Sequence, residues 1–223
     1  MKHAQNNQPT HPFRRSGAVA FAAVTLLCLA ATTGCGGSDD GGKDKKAEKS
    51  EQAKPALKQR LDQPRGKDPQ ELPAPPDTAP FSDQLTHELR KRTLDMAGVD
   101  GKTTGQCPKG IESKKGTTVT CSTTFAGQRI DWQVTIGDKA LMSLVEYQAT
   151  PTKGILTREG VAKLLFGNYK GSIEYALCND IPEVVLVPLN AQTSYACETV
   201  FKGKEPTGAS TPIRATDSGP RAF

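Results

Sequence analysis

The sequence predicts an α+β fold of two tandem units, each a helix packed on a small antiparallel sheet and stapled by one disulfide. Three observations carry that expectation. The pattern Cys-x-Thr-x-Phe-x-Gly occurs twice, as Cys121–Gly127 and as Cys197–Gly203. A helix-like segment precedes each copy at a fixed spacing. Thr86-x-Glu88-x-x-x-Arg92-x-Leu94 and Thr157-x-Glu159-x-x-x-Lys163-x-Leu165 lie 71 positions apart, as do Cys107 and Cys178. Each motif also falls in a period-2 run, the signature of a half-buried strand. The second cysteines, Cys121 and Cys197, are 76 apart, so five residues are inserted between the cysteines of the second unit.

Before the first unit the chain reads as export signal and tether. Residues 1–34 carry Lys2, Arg14 and Arg15 ahead of an apolar run, Gly17 to Ala31, with no acidic residue. That is the charged and apolar layout of an export signal, and the run is shorter than the ~20 residues of a spanning helix. It ends in Leu29-Ala-Ala-Thr-Thr-Gly-Cys35, followed by Gly36, Gly37 and Ser38. Small residues before a cysteine and a polar stretch after it resemble the lipobox of bacterial lipoprotein signals, although Thr32 stands where that pattern usually has Leu. The resemblance implies that Cys35 is acylated, becomes the mature N-terminus and holds the protein on the outer face of the cell membrane. Cleavage near Ala30 or Ala31, leaving a free thiol, is the alternative. Arg14-Arg15 lacks the apolar pair that follows a twin-arginine signal.

Residues 36–80 contain nine acidic and nine basic residues, seven prolines, five glycines and no Val, Ile, Met or aromatic residue. A segment of that composition buries too little apolar surface to offset its ordering entropy, so 35–80 is expected to be a disordered, charged and Pro-rich tether. Charge separates the function classes further. The formal +5 includes three cations of the signal, which leaves 26 Lys/Arg against 24 Asp/Glu. No basic cluster is visible, so nucleic acid is not an expected partner.

The first unit spans 81–150. Its helix is expected from the N-cap Ser82 to Ala97, with Gly98 as the stop and Leu85, Leu89 and Met96 as the apolar stripe. Val119, Cys121, Thr123 and Phe125 share one face of the next strand. Gly127 turns the chain, and Ile130, Trp132, Val134 and Ile136 alternate with Arg129, Asp131, Gln133 and Thr135. Gly137-Asp138-Lys139 reads as a second turn, and Leu141 to Ala149 as a third strand. The second unit, 151–223, has a helix capped by Thr157, stapled by Leu156 and Val161, striped by Val161, Leu164 and Leu165, and stopped near Gly167. Strands follow at Ile173–Leu177, Val184–Leu189 and Tyr195–Phe201. Ser210–Thr216 offers one more strand, and no third meander strand is expected after it. Four cysteines allow three pairings. Repeat symmetry selects Cys107–Cys121 and Cys178–Cys197, each closing a loop of about 15 to 20 residues for roughly 3 kcal/mol in the chain-entropy model.

Cys107-Pro-Lys-Gly-Ile111, Lys115-Gly-Thr-Thr-Val-Thr-Cys121, Gly127 and Trp132-Gln-Val-Thr-Ile136 together resemble a family of small actinobacterial exported modules over about residues 82–149. The second unit departs from it, with Cys178-Asn179 in place of Cys-Pro. Members of that family are often lipoproteins, and the family has no functional residues to carry over. Two helix-plus-sheet units with a disulfide each also resemble secreted β-lactamase inhibitor proteins in architecture, a likeness that says little about function.

No catalytic constellation is expected. Beyond the signal the chain has one histidine, His87, expected on the exposed side of the first helix. A Ser-His-Asp or Cys-His arrangement would have to use it. The cysteine spacing, with 13 and 18 residues intervening, fits no metal site, and no Gly-rich phosphate loop follows a strand. Asp131 with Asp138, or Glu146 with a neighbour, are the carboxylate pairs on offer, and fifteen acidic residues over 143 make such coincidences common. Trp132 reads as core. The functional expectation is therefore a lipid-anchored, non-enzymatic cell-surface protein without cofactor or metal. It would bind an envelope or extracellular protein through Arg129, Asp131, Gln133 and Thr135. The alternatives are an inhibitor of an extracellular hydrolase, an envelope enzyme of unrecognised type, and a passive envelope spacer with no specific partner.

Overall fold

The computed structural model describes residues 56–223 except Ser113 and residues 140–144. The signal, Cys35 and the first part of the tether lie outside the described residues. The described residues from 56 onward belong to one compact unit. It is α+β, with two helices and eleven strands in three antiparallel sheets among the described residues.

Helix α1, Phe81–Ala97, follows Pro80, which supplies no side-chain cap. Ser82, expected to cap it, is instead buried one position inside the helix. Pro80 holds the N-cap position itself, with ψ 147°, and its side chain has no acceptor to offer the first helical amides. Gly98, with φ 69°, closes the helix through its amide to Leu94 and Asp95 carbonyls. The first sheet follows in the order β2-β3-β4-β5: Thr103–Gln106, Thr118–Phe125, Gln128–Lys139 and Val145–Pro151. The expected three-stranded meander thus gains a strand, β2, which brings Cys107 opposite Cys121. The expected turn at 137–139 is strand, because β4 bulges between Ile136 and Lys139 and continues. Leu85, Leu89 and Met96 of α1 pack on Cys121, Phe125, Ile130, Trp132, Val134 and Ile136, all of them buried. The exact alternation of β4 survives intact.

In the second half, β6 is Gly154–Thr157, helix α2 is Arg158–Asn168, and β7 to β11 are Ile173–Cys178, Val184–Val187, Ala196–Phe201, Thr211–Thr216 and Gly219–Ala222. Thr157 caps α2, its hydroxyl accepting from the Gly160 amide at 2.8 Å and donating to the Ala97 carbonyl at 2.7 Å. One side chain therefore ties the end of α1 to the start of α2. A Cβ on Gly160 would meet that same Ala97 oxygen at 2.4 Å, so this contact admits only glycine. The helix runs one residue past Gly167, and Leu164 is half-buried while Ala162 takes a core position.

The second sheet has the order β1-β7-β9-β10-β11, where β1 is the segment Gln59–Leu61. Two of its strands were not expected. β11 folds back from β10 across Asp217 and Ser218, with Thr216 opposite Gly219. β1, Gln59–Leu61, lies within the predicted tether and pairs with β7. The composition of 36–80 hides three well-placed anchors. Leu61 is buried in the second core, and Arg60 lies 3.8 Å over the Tyr175 ring. The Gln59 amide exchanges two 3.0 Å bonds with the backbone of Ile181.

Between the two cores runs the β6–β8 ribbon, and its alternation serves both. Ile155, Val184 and Leu186 pack in the first core, and Leu156, Val185 and Val187 in the second. This is why both strands read as continuous apolar runs.

Candidate functional site

The residues proposed from alternation sit together on the solvent face of the first sheet. The register lines them up with polar partners on neighbouring strands in four rows: Thr104–Thr124–Arg129, Gln106–Ser122–Asp131, Thr120–Gln133–Thr150 and Thr118–Thr135–Gln148. Strand spacing of ~4.8 Å and a rise of ~3.4 Å per residue make this face about 15 Å by 20 Å. Gln133 and Thr135 are exposed, and Arg129 donates to the Asp131 carboxylate at 3.0 Å. That ion pair is open to water, with side chains 61% and 44% exposed, and adds little stability. Thr104 and Thr124 share a hydrogen bond of 2.6 Å across β2 and β3. The face is hydroxyl-rich, and its Arg129 and Asp131 charges offset each other.

The buried side of the same sheet is committed to structure. Trp132 donates its indole N–H to the Thr123 hydroxyl at 2.9 Å. Thr123 and Thr93 hydroxyls meet at 2.8 Å, and Thr93 donates to the Leu89 carbonyl at 2.7 Å. The chain runs from indole to helix backbone with every polar atom partnered, which is how a tryptophan can be buried to 1% exposure.

The titratable groups also have structural work. His87 is half-buried rather than exposed, because the 56–80 segment crosses α1 there and the Leu72 carbonyl lies 3.2 Å from its Nε2. The four cysteines of the described residues form the disulfides Cys107–Cys121 and Cys178–Cys197. Lys115 bonds Asp138 at 2.7 Å, and that hydrogen bond raises the lysine pKa. Burial raises the Tyr147 hydroxyl, and nearby Glu88 adds to it. Among the described residues no group of three or more His, Cys, Asp or Glu is placed to hold a metal ion.

A cleft of ≈560 Å³ lies between the Phe125–Ala126 corner and the start of α2. Its charged residues are partly engaged: Arg158 donates to the Ile181 carbonyl at 3.0 Å, and Glu159 accepts the Gly66 amide. No protein-family model matches the chain, and no match is found among curated proteins or solved structures.

Proposed function

We propose that the chain is an exported protein, anchored by lipid on Cys35 to the outer face of the cell membrane. Its folded part binds an envelope or extracellular protein through the polar face of the first sheet. The carrying observation is that face: Arg129, Asp131, Gln133 and Thr135 stand at fixed strand spacing on a rigid sheet whose other side is core. Such a surface presents hydrogen-bonding groups in a preordered array, which lowers the entropy lost on binding. The reading is non-catalytic, with His87 and the cysteines serving the fold. The test is capture from envelope extract by oxidised residues 51–223, since a fragment starting at 81 would lose β1. Arg129→Ala with Gln133→Ala should abolish capture of the specific partner. Unchanged capture by that variant would remove this face from the proposal. For the anchor, Cys35→Ala should release the protein into the medium, and full membrane retention would contradict lipidation.

The same reading holds that the two halves arose by duplication and share the resemblance to exported modules. It is supported by a common order: helix, strand, cross-strand disulfide, strand, further strands, as α1-β2-β3-β4-β5 and α2-β7-β9-β10-β11, the second series carrying β8 as an insertion between β7 and β9. Superposing α1-β2-β3 on α2-β7-β9 should place both helices on the disulfide face, and helices on opposite faces would end the duplication reading.

A further inference from the structure

The feature that the polar face leaves unexplained lies in the second sheet, where β9 and β10 part. Their ladder holds only two residue pairs, Cys197 with Thr211 and Ala196 with Pro212. Continued at that register, Thr199 would exchange bonds with Ala209, and Phe201 with Thr207. Neither pair forms. The Thr207 and Gly208 amides go to the Glu198 carboxylate instead, and the Ala209 amide goes to the Thr207 hydroxyl. The Phe201 carbonyl is taken by the Lys204 amide at 3.0 Å.

Strand alternation fixes where the orphaned groups point. The Asn179 amide bonds the Ala196 carbonyl, so Ala196, Glu198 and Val200 direct their backbone groups at β7. The Ile213 amide bonds the Tyr195 carbonyl, so Tyr195, Cys197, Thr199 and Phe201 direct theirs the other way. The Thr199 N–H and C=O and the Phe201 N–H therefore face the gap, without a partner among the described residues. The gap is a pocket of ≈390 Å³. At its rim Tyr169 and Phe201 meet edge to face at 5.1 Å and remain 41% and 39% exposed. Lys204 and Glu205 add one charge of each sign.

We propose that this open edge of β9 binds an extended polypeptide, which pairs with Thr199 and Phe201 and lays an apolar or aromatic side chain on the Tyr169–Phe201 pair. Unpaired strand donors and acceptors at strand spacing are complementary to another strand, and an adjacent aromatic rim gives that strand a side-chain anchor. With both charges at the rim, the backbone and one side chain select the ligand. The site is distinct from the polar face of the first sheet and does not depend on it.

The test screens the full chain, both disulfides formed, against a displayed library of random dodecapeptides. Enriched peptides are then synthesised in native and backbone-N-methylated forms. N-methylation at the alternate residues that face β9 should weaken binding about tenfold or more, and at the intervening residues should leave it unchanged. Phe201→Ala and Tyr169→Ala should each weaken binding. Amide exchange supplies a readout that needs no variant. In the free protein Thr199 should exchange faster than Val200, which bonds across to β7, and bound peptide should slow it. A Thr199 amide already protected in the free protein overturns the proposal. So does binding indifferent to N-methylation, or a library yielding no peptide that depends on Tyr169 and Phe201.

Discussion

Cys121–Gly127 and Cys197–Gly203 carry the same spaced residues and end differently. In the first, β3 is paired on both sides, with eight residue pairs to β4, and Phe125 is 4% exposed. In the second, β9 keeps two pairs to β10, and Phe201 is 39% exposed. The turn explains much of the divergence. Ala126 and Gly127 both have positive φ, 47° and 80°, the pattern of a type I′ turn whose twist matches the flanking strands. At Phe201–Lys204 only Gly203, with φ 69°, is left-handed, which is the type II pattern that splays a hairpin. Pro206 then has no amide to give to a ladder, and Glu198 gathers the next two amides. A shared motif thus becomes a closed hairpin or an open one according to the residues just beyond it.

Paired substitutions probe that difference, from the largest expected effect to the smallest. Trp132→Ala removes a fully buried ring from the closed side and should cost about 3–5 kcal/mol, whereas Phe201→Ala at the open rim should cost under about 1 kcal/mol, read by urea denaturation followed by circular dichroism. Equal losses would mean that Phe201 is as much core as Trp132. Thr123→Val strands the Trp132 indole N–H and should cost about 1–3 kcal/mol, while the equivalent Thr199→Val, which strands no side chain, should stay within about 0.5 kcal/mol. A large loss at Thr199 would give that hydroxyl a structural bond.

The smallest effect is electrostatic. Burial raises the Glu198 carboxyl pKa, but hydrogen bonds from the Thr207 hydroxyl and the Thr207 and Gly208 amides outweigh it, and the net value lies below that of an ordinary glutamate. A carboxylate depressed on folding stabilises above the unfolded value of about 4.3, and that contribution is lost as pH falls through the lower folded value. Glu198→Gln should therefore flatten the acid limb of the stability curve. Glu198→Ala, which removes both acceptor oxygens, should free the 207–208 amides, so that β10 closes toward β9 and Thr199 gains exchange protection. An unchanged acid limb would remove Glu198 from the account of the open hairpin.

The elements legible in sequence were those whose evidence is local. The alternation of β4 from Arg129 to Ile136 names its own faces, and Thr157 announces the cap of α2. The candidate face was legible for the same reason: Arg129, Asp131, Gln133 and Thr135 alternate with Trp132 and its neighbours. Its extension to Thr104, Thr118 and Gln148 was not, because strand register is a property of two chains of residues rather than one. β1 was missed because Gln59–Leu61 offers one apolar residue and no alternation, and is anchored by partners more than a hundred positions away.

By itself the sequence determined the two disulfide-bearing halves, the α+β class and the polar and apolar sides of the first sheet. Periodicity, caps and cysteine spacing act within a few turns of chain, and no distant partner is needed to read them. Only the tertiary structure decided that the two halves share a ribbon, that the 59–61 segment completes the second sheet, and that one copy of the motif closes while the other stays open. Those outcomes depend on which distant groups arrive to satisfy each backbone amide and cover each apolar side chain.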